Sequence, residues 1–68
     1  MYKVPVYAIG TEHQPNEFGM WAGPHPDLKE MLNLWGEKGA VIWLFMPDGR
    51  EFQLFRWDDS VWKWKPIQ

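Results

Sequence analysis

Glu12, His13, His25 and Asp27 are the side chains of this chain best suited to hold a divalent cation, because neutral imidazole and carboxylate are ligands such ions accept. Their spacing lacks the i, i+4 separation by which one helical face preorganises two ligands, and His25 between Pro24 and Pro26 fits the entry to a helix instead. No metal site is expected. Thr11 and Ser60 are the aliphatic hydroxyls available as nucleophiles, and Ser60, following Asp58 and Asp59, sits in a turn signal where its ordinary role is a local hydrogen bond. Adjacent Asp58 and Asp59 point apart and make a poor acid/base pair. The glycines match no phosphate loop or dinucleotide fingerprint. A chain of 68 residues also has little room for a ligand cavity of ~300 Å³ or more. Neither catalysis, a cofactor nor a small-molecule substrate is expected.

Two binding chemistries remain. Arg50, Arg56, Lys63 and Lys65 lie near the C-terminal end among tryptophans, the combination with which proteins track phosphates and stack unpaired bases. Strand alternation weakens this reading, since it places Lys63 and Lys65 on the face opposite Trp62 and Trp64. The other chemistry is an aromatic surface for a protein partner. Six of the 68 residues are Trp, a residue enriched at interface hot spots. With Trp35, Trp43 and one of Trp62 or Trp64 assigned to the core, Phe18, Met20, Trp21, Phe55 and Trp57 are the expected protein-binding residues.

Charge narrows the partners. Residues 1–49 hold three basic and six acidic side chains and residues 50–68 hold four and three, a net of −2 that opposes a general polyanion-binding surface but leaves room for a local cationic patch. No apolar run reaches the ~18 residues of a membrane span, and Met1-Tyr2-Lys3-Val4-Pro5 lacks a signal-peptide core, so a cytoplasmic location is expected. The absence of cysteine removes disulfides and thiolate metal sites from the means by which so short a chain can be stabilised. A domain of this size buries only about 60% of its unfolded surface, which leaves aromatic packing or oligomerisation to stabilise it.

The elements that must position these residues follow from local pattern. Residues 2–9 are rich in β-formers with Pro5 among them, the signature of an edge strand. Residues 10–26 carry three glycines and three prolines without a sustained period and read as a long loop, partly packed through Phe18, Met20 and Trp21. Leu28, Met31, Leu32 and Trp35 fall on one helical face after Pro26 and Asp27, and Lys38 with Gly39 provides a stop, so a helix is predicted over about 27–37. Residues 40–46 are continuously apolar and predict a strand covered on both faces. Pro47-Asp48-Gly49 predicts a hairpin turn into a strand over 51–57, and Asp58-Asp59-Ser60 a second turn into a strand over 61–65.

The expected fold is a single α+β domain over 1–68 in the order β-α-β-β-β, an antiparallel meander with one helix packed on one face. Alternation then puts Phe52 and Leu54 on one face of the 51–57 strand and Phe55 and Trp57 on the other. The second aromatic face needs a cover: the 10–26 loop, a second copy, or a partner. The functional expectation is a small non-catalytic module that binds a partner protein or itself through that face and the 18–21 loop. A phage-type inhibitor or accessory protein is one form that such a module can take. The alternative is a single-stranded nucleic-acid-binding module using Arg50, Arg56, Lys63 and Lys65.

Overall fold

The computed structural model describes residues 3–15, 19–20, 28–34 and 36–67. Strand β1 spans Val6–Gly10, β2 Gly19–Met20, β3 Val41–Phe45, β4 Glu51–Asp58 and β5 Lys63–Pro66, and one short helix, α1, spans Leu28–Leu32. The strands form a single antiparallel sheet in the order β2-β1-β3-β4-β5. Pro5 lies just outside β1, so the strand keeps its ladder donors and takes an interior place. β3 pairs along its whole length with β1, from Gly10 opposite Val41 to Val6 opposite Phe45.

The expectation of an α+β domain with a helix layer on the sheet is overturned. The described chain is a small antiparallel β-sheet, four principal strands and the two-residue β2, and α1 is little more than one turn within a connection. The predicted helix over 27–37 fails for a tertiary reason. In a continuing helix the Leu34 carbonyl would accept from the amide of Lys38, but the Trp64 indole Nε1–H takes it at 3.0 Å. At Gly36 the backbone comes down onto β4, and a Cβ there would lie 2.6–2.8 Å from Cδ2, Cγ and Cε3 of the Trp57 ring. Gly39, at φ 87°, belongs not to a helix end but to the turn in which Ala40 N donates to Glu37 O at 2.8 Å, leading into β3. An eleven-residue helix is marginal on its own propensity, so two contacts to the sheet suffice to redirect it.

The hairpin between β3 and β4 turns where the Pro47-Asp48-Gly49 signal lies. Gly49 adopts φ 94°, which a side chain would strain, and the Asp48 carboxylate accepts from Arg50 N at 3.1 Å and pairs with Arg50 Nε at 2.6 Å. Those two contacts, the backbone N–H before the guanidinium, hold the Asp48 carboxyl below its usual range.

A β-bulge in β4 decides which residues share a face. Phe52 lies opposite Leu44 and Gln53 opposite Trp43, but Phe55 lies opposite Ile42, leaving Leu54 as an extra residue with no counterpart on β3. Strict alternation separates Phe52 from Phe55 and Trp57; the bulge restores all three to one face. Tyr7, Ile9, Ile42, Leu44, Phe52, Phe55, Trp57 and Trp64 therefore line the first face. Met31 of α1 and Ala40 close over it, forming a core with Ile9, Ile42, Trp57 and Trp64, flanked by Tyr7, Leu32 and Phe55. Trp57 and Trp64 meet edge to face at 5.3 Å, worth about 0.5–1.5 kcal/mol beyond their burial.

The second face divides into two halves. On β1 and β3 it carries Val6, Ala8 and Val41, all buried, with Trp43 and Phe45 stacked at 6.4 Å and half-buried. Residues 11–15 fold back over this half: Trp43 Nε1 donates to Thr11 O at 2.9 Å and Gln53 Nε2 to Glu12 O at 3.0 Å. Part of the 10–26 loop thus covers the sheet, as one of the three candidate covers. On β4 and β5 the same face carries Arg56, Asp58, Lys63 and Lys65. Among the described residues, no helix is long and apolar enough to cross a membrane.

Candidate functional site

The β4–β5 half of the second face is the chemically richest surface of the described chain. Arg56 lies directly opposite Lys65 and Asp58 directly opposite Lys63, so the ladder itself sets three cations around one carboxylate. Asp58 is the organiser. Its Oδ1 accepts from Ser60 N at 3.0 Å and from Ser60 Oγ at 2.5 Å, and its Oδ2 pairs with Lys65 Nζ at 3.1 Å. The Ser60 hydroxyl first, and the Lys65 ammonium second, hold the Asp58 carboxyl at about 2.

The Asp58 backbone carbonyl shapes the turn as well, accepting from Val61 N at 3.3 Å and Trp62 N at 2.8 Å. This closes the chain at Trp62 with φ 56°, the one positive φ outside glycine among the described residues. Trp62 is 60% exposed and Val61 49%, the two most exposed large apolar residues described. Because β5 begins at Lys63, Trp62 lies outside the ladder and is not carried onto the Trp64 face.

Two concavities flank the Arg56–Lys65 pair. One, of about 390 Å³, is lined by Lys38, Arg56 and Lys65 together with Trp57, Asp58, Asp59 and Ser60. The other, of about 400 Å³, is lined by Arg56, Lys65, Pro66 and Ile67, with no acidic side chain among its described lining residues. Trp57, which borders the first, has a buried Nε1–H with no acceptor among the described residues.

Of the expected protein-binding residues, Trp57 is 7% exposed and packs in the core, and Phe55 is half-buried against the same cluster. Met20 pairs through its backbone with Ala8, while Phe18 and Trp21 lie outside the described residues. Of the expected cations, Arg56, Lys63 and Lys65 come together on one face. Arg50 does not join them: it sits at the β3–β4 turn, paired with Asp48 and 5.7 Å from the Phe52 ring centroid. Lys38, distant in sequence from the others, does join. His25 and Asp27 of the conceivable metal set lie outside the described residues, among which no three His, Asp or Glu side chains cluster as a metal would require.

Trp62 and Lys38 are the site residues that sequence reasoning missed. The signal for Trp62 was present in the turn residues Asp58-Asp59-Ser60, had the turn been extended through residue 62. Nothing local signals Lys38, whose place depends on where the chain leaves α1. Comparison with known protein families, curated proteins and solved structures finds no match for this chain.

Proposed function

We propose that the chain is a small non-catalytic interaction module that engages a partner protein through the Val61–Trp62 turn. The observation that carries this reading is Trp62 itself, a bulky aromatic held 60% exposed at φ 56° by the Asp58 turn. A left-handed backbone costs an L-residue about 1–2 kcal/mol, and strain of this kind concentrates at working surfaces. Tryptophan is also the residue most characteristic of interface anchors. The aliphatic hydroxyls support a non-catalytic reading, since each takes part in a local turn: Thr11 Oγ1 accepts from Gln14 N and Ser60 Oγ donates to Asp58.

A different protein is the occupant proposed for this turn, and a second copy joined edge to edge is disfavoured by the described sheet edges. β5 is four residues long and carries Lys63, Lys65 and Pro66, and β2 has two residues, so both sheet edges have the features that discourage strand addition. Selection from a random peptide library against the wild-type protein tests the reading. Enriched peptides are expected to bind Trp62→Ser about tenfold more weakly or worse, with the thermal unfolding of the variant unchanged. No enrichment, or equal binding to Trp62→Ser, would overturn it.

A further inference from the structure

From the β4–β5 cationic face we infer that this protein has a phosphate-binding site centred on Arg56 and Lys65, independent of the Trp62 anchor. The two side chains are directly opposed in the β4–β5 register, an arrangement of like charges that destabilises a sheet unless something compensates it. Asp58 compensates Lys65, at 3.1 Å, but Arg56 has no ion pair among the described residues. Both side chains line both concavities, so a group seated in either lies against the Arg56 and the Lys65 side chain. In the concavity completed by Pro66 and Ile67 every ionisable lining group among the described residues is a cation. Lys38 adds a third positive charge on the other side, against Asp58 and Asp59.

The choice of phosphate over carboxylate follows from acceptor geometry. A planar guanidinium fork engages two oxygens, which takes both oxygens of a carboxylate and leaves it only their second lone pairs for another donor. A phosphate has further oxygens with which to accept from the Lys65 ammonium at the same time. Such a group can arrive on a small phosphorylated molecule or along the backbone of a single-stranded nucleic acid, and the open, two-lobed shape of the surface admits either.

Titrations with pyrophosphate and with a labelled oligothymidylate at low salt distinguish the two sources, with polyglutamate as the carboxylate control. Binding of either phosphate ligand is expected to fall at least about fivefold in Arg56→Gln and to be unchanged in Arg50→Gln, whose guanidinium is occupied by Asp48 at the other turn. For the oligonucleotide, the slope of log K against log salt is expected to be about −1.4 to −2 for two or three contacts, and to lose about 0.7 on removal of Arg56. Asp58→Asn keeps an oxygen for Ser60 but releases Lys65, and should tighten phosphate binding several-fold, a gain that a merely structural Asp58–Lys65 pair would not produce. Pyrophosphate binding with no stronger oligothymidylate binding assigns the site to a small phosphorylated ligand; the reverse assigns it to the nucleic-acid backbone. Absence of binding by both, equal binding of polyglutamate, or equal loss in Arg50→Gln would overturn the site.

Discussion

Asp58 shows how much one short side chain can organise at a β-turn. Its carboxylate accepts from the Ser60 hydroxyl and amide and pairs with Lys65, while its own backbone carbonyl accepts from Trp62 N. The Ser60 hydroxyl, then the Lys65 ammonium and the Ser60 amide, hold the folded-state carboxyl at about 2, below the ~3.9 of an unperturbed aspartate, so the charged form is favoured by folding. The stability this contributes is present at neutral pH and is lost as pH falls from about 4 toward 2. Urea unfolding of the wild type and Ser60→Ala across that range should show a difference at pH 7 that shrinks as Asp58 protonates. A difference that stays constant down to pH 2 would mean that Ser60 acts by something other than its bonds to the Asp58 carboxylate.

At the scale of elements, the β3–β4 hairpin and the approximate places of four strands were legible, but the two-residue β2, the interior place of β1, the start of β5 at Lys63 rather than Val61, and the fate of the 27–37 segment were not. Pro47-Asp48-Gly49 marked its hairpin because Gly49 needs φ 94° and the Asp48 carboxylate caps the turn, both local requirements that local residue types reveal. The apolar run over 40–46 was legible as a strand because it is covered on both faces, by the core on one and by residues 11–15 on part of the other. The 27–37 segment misled because the i, i+3, i+4, i+7 pattern reports a propensity, whereas its fate depends on Trp64 taking the Leu34 carbonyl and on Trp57 lying against Gly36. The bulge at Leu54 was equally invisible, since a one-residue slip changes no local preference while exchanging the faces of Phe55 and Trp57. Gly36 tests this account of the connection. Gly36→Ala places a methyl 2.6–2.8 Å from the Trp57 ring and should destabilise the fold by about 1–3 kcal/mol in urea titration. A neutral or stabilising result would indicate that residues 33–37 can revert to the longer helix.

For the molecule as a whole, the described aromatic residues are distributed without leaving a bare aromatic sheet face, Phe52 at 41% exposure being the most open of those on the first face. One face is spent on the core with Met31 and Ala40, and the other is covered by residues 11–15 at the β1–β3 half and charged at the β4–β5 half. What remains exposed and apolar near the charged half is the Val61–Trp62 turn. The proposed partner and phosphate sites thus fall on neighbouring parts of one end of the sheet, although each depends on different side chains. Hydroxyl-radical footprinting of the folded protein, read tryptophan by tryptophan by mass spectrometry, tests this division most directly. The account predicts that Trp62 is oxidised fastest, that Trp43 is intermediate, and that Trp57 and Trp64 are protected until the protein unfolds. Oxidation of Trp57 as rapid as that of Trp62 would contradict it, placing the aromatic face of β4 in solvent and the binding surface somewhere else.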